Sequence, residues 1–301
     1  MVDDSLIGPT AGPQLHVMTF NIRRRFPHIS PRNPDLWSLR KPVLRRLLAH
    51  EQPSLIGMQE VLPDQEHFLH TSLGARYRSI GHGRDANRRG EACPIFYDTT
   101  RLRLVSWKQL ALSATPEVAG SRSFGNLLPR MLVSARFVDL VTGTEFLALN
   151  MHLDHLSAKS RLRSAELIRS LVAEAGCPVV LTGDANAGVR SKPFRLLTGD
   201  GLLHDAWAAA RVRLSPPFGT NSRYRAPKLR GRRIDWILVS DGFTVDKVGI
   251  NPYRHRGHAA SDHDPVQAVL SGAPAAPAPA PPAPPGAPEA PAGAGSPASI
   301  R

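Results

Sequence analysis

Six places along the 301-residue chain put a polar side chain where an apolar strand ought to continue or has just ended. Asn21 closes HVMTFN, and Glu60 closes LIGMQE. His152, Asp154 and His155 follow FLALNM, while Asp184 and Asn186 leave VVLTG. Asp235 stands between Ile234 and Trp236, and Ser261-Asp262-His263-Asp264 precedes Pro265 and the last apolar run. A polar group buried without a partner costs about 1–3 kcal/mol in proteins, so each of these positions calls for a partner or a metal.

Taken singly, the residues are ordinary. Asn21 reads equally well as an Asx-turn, and Asp184 with Asn186 as a turn or helix cap. His155 reads as a surface residue. Together they have a shared purpose if the ends of two packed sheets form one rim. A hard cation takes oxygen ligands and keeps several waters, and Glu60, Asp262 and the Asn21 amide offer those oxygens. A histidine paired with a buried acid, as His263 would be with Asp235, can sit against a phosphate. An acid beside an amide, Asp184-x-Asn186, can orient an attacking water and hydrogen-bond phosphoryl oxygens.

The elements expected to position these groups are short apolar runs. Strands are expected at 15–22, 55–59, 94–97, 102–110, 131–138, 145–151, 179–182, 234–239, 243–250 and 265–270. Two helices are expected. One at 37–50 carries Val43, Leu44, Leu47 and Leu48 on a stripe, and one at 160–175 carries Ala165, Ile168, Leu171 and Val172. Gly176 and Pro178 stop the second. So many strands with so few helices do not fit a doubly wound parallel sheet. Two packed mixed β-sheets flanked by helices fit better, a four-layer α/β/β/α sandwich of the α+β kind.

Residues 1–13 are expected to be disordered, 14–271 to form one domain, and the Pro/Ala tract 272–301 to be a disordered tail with too few large apolar groups to offset its ordering entropy. No apolar run is long enough to span a bilayer, and MVDDSLIGPTAGPQ has no signal-like apolar core, so a cytoplasmic protein is expected. Cys93 and Cys177 lack CxxC spacing and read as free thiols. The net charge is +13. Asp3 and Asp4 are the charged residues of 1–13, and Glu289 and Arg301 those of 272–301, so the positive excess lies within 14–271. That favours polyanionic partners. The plain alternative is an arginine-rich composition whose side chains are simply solvated.

Taken in order, TFNIR, MQEV, NMHLDH, TGDANA, RIDWILVS and SDHDPV resemble the endonuclease/exonuclease/phosphatase family of metal-dependent phosphoesterases with the deoxyribonuclease I-like fold. The resemblance spans 19–266. GRDANRRGEACPIFYDTTR and GSRSFGNLLPR are similar to a bacterial subgroup of that family. Met151 and Ala185 depart from it where Thr and Phe are common, at positions without chemistry. The resemblance implies in-line attack of water on a phosphate ester. Glu60 would hold Mg²⁺ or Mn²⁺, with Asn21 and Asp262 completing or orienting the metal shell. Asp184 would act as general base and Asn186 would position water or phosphate. His263, oriented by Asp235, would stabilise developing charge, and His152 would contact a phosphoryl oxygen from the opposite side.

Arg130 is a candidate phosphate contact, with a surface ion pair as the competing account, and Glu91 a candidate support of the site, or else an ordinary cap or surface salt bridge. Arg23, Arg24, Arg25 and Arg32 follow Asn21. A second basic stretch holds Arg223, Tyr224, Arg225, Lys228, Arg230, Arg232 and Arg233, with no acid between Gly219 and Arg233. A basic loop with an aromatic at a phosphoesterase mouth suits a nucleic-acid backbone, so a monomeric nuclease is the leading expectation. A small-molecule or lipid phosphoesterase and a non-catalytic polyanion binder are the alternatives.

Overall fold

The computed structural model describes residues 5–28 and 30–272. The expected tail therefore lies outside the described residues beyond Gly272. Strand β1 (Gln14–Asn21), helix α1 (Trp37–Glu51), β2 (Leu55–Gln59), α2 (Pro63–Leu73), β3 (Tyr77–Ile80) and β4 (Ile95–Asp98) open the chain. Next come β5 (Leu102–Ala111), β6 (Met131–Asp139), β7 (Glu145–His152), α3 (Ala158–Ala173) and β8 (Val179–Asp184). The short α4 (Lys192–Thr198), β9 (His204–Asp205), α5 (Ala206–Ala209) and β10 (Val212–Arg213) lead to β11 (Asp235–Val239) and β12 (Phe243–Ile250). A ribbon of β13 (Arg254–His255) and β14 (His258–Ala259) precedes β15 (Val266–Gly272).

One mixed sheet has the order β10-β12-β15-β1-β2-β4-β3 and the other β5-β6-β7-β8-β11-β9. Residues from the inner faces of both, among them Val17, Leu55, Ile95, Val133, Ala148, Val180, Ile237 and Val266, form the central core. The outer face of the first sheet packs Met18, Phe20, Ile56 and Met58 against Val43, Leu44, Leu47 and Leu48 of α1 and Phe68 and Leu69 of α2. The outer face of the second packs Leu149, Met151, Leu181 and Trp236 against Ala165, Ile168 and Val172 of α3 and Leu197 of α4. This is the expected four-layer sandwich. All ten expected strands form.

Helix α2 was not anticipated, although Pro63 opens it, Asp64 and Glu66 sit in its first turn, and Gly74 ends it. Those are the signals of a helix start and stop, and its apolar stripe is too sparse to announce it. The expected disordered leader does not hold for residues 6–8. The buried Glu51 carboxylate accepts the backbone N–H groups of Leu6 (2.6 Å), Ile7 (3.1 Å) and Gly8 (3.0 Å), and the Asn251 amide at 2.8 Å. Three of the four hydrogen bonds to this buried acid at the end of α1 come from the leader, so the leader is its main partner. No helix among the described residues is long and apolar enough to cross a membrane.

His16 closes the same latch. Its Nδ1 lies 3.0 Å from the Gly8 carbonyl and its Nε2 3.0 Å from Oε1 of Gln267. Burial pushes its pKa below the ordinary 6.5, against the opposing pull of Glu51. The folded state therefore holds His16 neutral while the unfolded chain takes up a proton below pH 6.5. Stability from this group is present above that pH and lost as the pH falls through it. The expected slope is at most about 1.4 kcal/mol per pH unit. Chemical denaturation at about pH 7 and about pH 5 should show a smaller loss for His16→Asn than for the parent. Equal losses would rule out His16 as a contributor.

Candidate active site

Strand direction brings the polar positions together. β1 runs parallel to β2 with Asn21 opposite Gln59, and β7 runs parallel to β8 with His152 opposite Asp184. All four strands therefore end at one edge. β11 is antiparallel to β8, which sets its first residue, Asp235, opposite Asp184. β15 is antiparallel to β1, so the Ser261–Asp264 loop that feeds it arrives at the same edge.

Asp184 is the centre. Its Oδ2 accepts a hydrogen bond from Asn21 Nδ2 at 3.0 Å and lies 3.6 Å from His152 Nε2 and 3.9 Å from His263 Nε2. Its Oδ1 accepts the Asn186 backbone N–H at 2.8 Å. His263 Nδ1 is 2.9 Å from Asp235 Oδ2, and the Asn221 amide lies 2.8 Å from its Nε2. The second nitrogen of Asn21 carries two bonds, for Nδ2 also donates to Glu60 Oε1 at 3.0 Å. Glu60 Oε2 accepts the Arg24 backbone N–H at 3.1 Å. Glu60 itself sits at φ 62°, in the left-handed region that a non-glycine residue rarely adopts. Such strain persists where the surroundings hold a side chain in a needed direction.

Burial and neighbouring charge set the protonation states. Burial, then the charge of Asp235, pushes Asp184 up to about 7. Burial opposes the His263 cation, yet Asp235, Asp184 and Asp262 together hold its pKa well above the ordinary value. His152 goes the other way. Burial and the positive charges of Arg130 and Arg84 hold it well below. Glu60 is pulled down against burial by the Asn21 hydrogen bond, the Arg24 N–H and Arg23, so it stays ionised. One cationic and one neutral imidazole thus flank the Asp184 carboxyl.

Not every expected residue joins this group. Asp154 accepts the N–H groups of Leu156 (2.9 Å) and Ser157 (2.6 Å) and an Arg130 bond at 3.3 Å, so it shapes the loop before α3. The Asn186 side chain donates to the Leu153 carbonyl at 3.0 Å. The Asn21 side-chain oxygen Oδ1, expected near a metal, accepts the Arg23 N–H at 2.9 Å. Arg130 and Glu91 do form ion pairs, but they are buried, at 4% and 8% exposed, and do not lie on the surface. Glu91 grips Arg84 through two bonds of 2.9 and 3.1 Å and meets Arg24 at 3.0 Å. Most of the run after Asn21 is engaged within the fold, since Arg23 lies 3.6 Å from Asp35, Arg24 is held by Glu91 and Arg25 pairs with Asp64 at 2.6 Å. Arg32 is exposed and makes no ion pair among the described residues.

Several residues of the site were not singled out from the sequence. Asn150 is fully buried between the sheets, donating to the carbonyls of Met58 (2.8 Å) and Cys93 (3.0 Å) and accepting from Gln59 at 2.8 Å. A Cβ on Gly57 would lie 2.1 Å from Thr182 Oγ1, so the two sheets approach here only because residue 57 is glycine. Arg40 of α1, fully buried, donates to the carbonyls of Ile22 (2.8 Å), Arg23 (3.0 Å) and Arg24 (3.2 Å) and so holds the turn after Asn21. Asn150 and Gln59 carried the same signal as the residues that were found, a polar group in an apolar strand. Arg40 carried none, because an arginine on a helix is ordinary until its environment is known.

A family model described as the endonuclease/exonuclease/phosphatase family matches residues 18–263. The chain belongs to that family. An endonuclease/exonuclease/phosphatase family protein from Bacteroides thetaiotaomicron is similar at 31% identity, over 88% of this chain and 100% of that one, with a TM-score of 0.81. A mannosyl-6-phosphatase from the same organism is similar at 30% identity, over 85% and 99%, with a TM-score of 0.79. D. rerio TDP2, solved with a single-stranded DNA product, shares the fold at 16% identity, over 86% and 99%, with a TM-score of 0.62. No curated protein matches.

Endonuclease/exonuclease/phosphatase members are hydrolases of phosphoester bonds and generally depend on a divalent metal. The donors here fit an oxygen-seeking cation. Glu60 and Asp262 flank the Arg23 guanidinium at 4.0 and 3.9 Å. Asp184, Asp235 and His263 also offer ligand atoms within 4.8 Å of one another. The His263–Asp235 contact at 2.9 Å, with the imidazole cationic, makes that pair an ion pair more readily than two ligands.

The basic loop before β11 is braced at three points. The Tyr224 hydroxyl donates to Asp35, Arg233 pairs with Asp205 at 3.0 Å, and Arg254 donates to the Arg225 carbonyl at 2.9 Å. Arg223, Arg225, Lys228, Arg230 and Arg232 remain exposed, with no ion-pair partner among the described residues.

Proposed function

We propose that the chain is a divalent-metal-dependent phosphoesterase that cleaves nucleic acid by in-line attack of water. The chemical part of this reading is supported by the Asp184–Asp235–His263 group with neutral His152 also close to the Asp184 carboxylate. Glu60 and Asp262 would hold Mg²⁺ or Mn²⁺, and the ion would supply Lewis-acid polarisation of the phosphate and stabilise the leaving oxygen. Asn21 orients Glu60 and Asp184 through its two donated bonds. Asp184 takes the proton of the attacking water. Asn186 positions water or phosphate with the part of its amide that Leu153 leaves free. The His263 cation, held by Asp235, stabilises charge on the phosphoryl oxygens, and His152 meets an oxygen from the other side. Arg130, beside His152, offers a further phosphate contact.

The substrate part rests on the five exposed, unpaired cations of the loop that leads into Asp235, which suit a chain of phosphates. A second reading, hydrolysis of a phosphomonoester, is favoured by the likeness to a mannosyl-6-phosphatase. Arg84, Glu91, Arg130 and His152 line a small pocket with room for about one water, too small for a phosphate as it stands. Purified protein given Mg²⁺ or Mn²⁺ should cut a defined oligonucleotide and lose that activity in EDTA. Phosphate release from sugar phosphates with intact oligonucleotide would move the assignment to the monoester. Inactivity on both, with every metal, would sink the catalytic reading.

A further inference from the structure

Two cavities lie beside the loops that carry Asp184 and Asp235. One, about 600 Å³, is walled by the loop after Asn186 and the loop before Asp235, with Trp207 and Phe218 contributing rings. The other, about 390 Å³, runs along the first turn of α3 and the start of α4. They share Ser191 and Arg232, so they form one groove. Its lining holds Lys159, Arg161, Arg190, Lys192, Arg230, Arg232 and Arg233, and no acid among the described residues. Arg161 and Arg233 have their charged groups committed, to the Asp154 carbonyl at 2.7 Å and to Asp205 at 3.0 Å. The other five are exposed and make no ion pair among the described residues.

The groove is tied to the chemistry by short lengths of chain. Gly188 follows Asp184 by four residues, and Arg232 precedes Asp235 by three, while Asp184 and Asp235 are paired in register. At about 3.8 Å per residue, neither wall can stand more than about 15 Å from that pair.

We infer that this groove holds the strand of a single-stranded nucleic acid beyond the phosphate being cleaved, its backbone on Lys159, Arg190, Lys192 and Arg232 and a base against Phe218 or Trp207. The inference rests on the nuclease reading above and extends it to three cations, Lys159, Arg190 and Lys192, outside the loop that the sequence marked. Charge selects the occupant, since a row of unpaired cations with no acid repels other cations and leaves a phosphate chain as the complementary ligand. The rings select the strandedness. Bases offer their faces to aromatic side chains only when they are unpaired.

The test is binding without turnover. A fluorescent single strand of about 12 nucleotides and its duplex are titrated in EDTA against the protein and the Lys159→Ala/Arg190→Ala/Lys192→Ala variant, over a series of salt concentrations. The expected result is tighter binding of the single strand than of the duplex. The triple variant should weaken single-strand binding at least tenfold at low salt and flatten the plot of log affinity against log salt by up to about 2, at about 0.7 per contact. Hydrolysis of a minimal aryl phosphate ester and the melting temperature should not change. An oligonucleotide cut by the parent, with the same salt slope in the variant, would overturn the groove and leave the nuclease reading standing. Equal binding of duplex would overturn the single-stranded occupant. Hydrolysis of monoesters by a protein that binds no oligonucleotide would overturn the nuclease reading, and the groove's occupant with it.

Discussion

Glu60→Gln is expected to abolish turnover at ordinary magnesium concentrations and to raise the concentration of metal needed for any residual activity. The substitution keeps the volume and the amide-sized head, so the strained backbone at φ 62° has no new reason to move. What it removes is the charge. In the folded chain that carboxylate is held ionised by the Asn21 donor, the Arg24 N–H and the Arg23 charge. A neutral oxygen is a far poorer ligand for a hard cation. Loss of a group that merely supports a ligand typically costs about 10- to 100-fold in metal affinity or activity, and loss of a ligand costs more. Calorimetric titration with Mn²⁺ alongside steady-state kinetics checks both halves. Near-parental turnover at ordinary Mg²⁺ would remove Glu60 from the metal site.

Asp235→Asn should be as damaging for a different reason. Asp235 is 1% exposed and lies 2.9 Å from His263 Nδ1, where its charge is a principal support of the imidazolium. Asparagine keeps the shape but supplies no charge, and its amide can present N–H where the imidazole also needs to donate. The cation facing the phosphate is then lost or turned away. Removal of one such preorganised donor costs on the order of 10²- to 10³-fold in kcat. Metal affinity should stay near that of the parent, and excess metal should not restore the rate. That separates it from the Glu60 variant. Recovery at high metal, with weakened metal binding, would instead make Asp235 a ligand within the Asp184–Asp235–His263 cluster.

Much of the site was legible because polar residues ending apolar strands are costly unless they are used. Asn21, Glu60, His152, Asp184, Asp235 and His263 all announced themselves in this way, and the structure gathers every one of them at a single edge. Asp154 gave the same local signal and spends its side chain on the loop before α3. A polar group that caps a turn and one that faces a ligand look alike in a string of letters, because both follow a strand.

The sequence by itself determined the ten principal strands, the helices α1 and α3, the four-layer arrangement and the family. Each of these depends on local periodicity or on ordered motifs, which survive without knowledge of neighbours in space. Tertiary structure alone decided the charge states, since the His263 cation and the neutral His152 differ only in which charges stand within a few ångströms of equally buried rings. It also decided which arginines are free. Arg24, Arg40, Arg130 and Arg233 are bound by acids or carbonyls from distant parts of the chain, whereas Arg190, Arg230 and Arg232 find no such partner among the described residues. Coulombic and hydrogen-bonding energies fall off over a few ångströms of space, and residues far apart in the chain become neighbours only once the two sheets have packed.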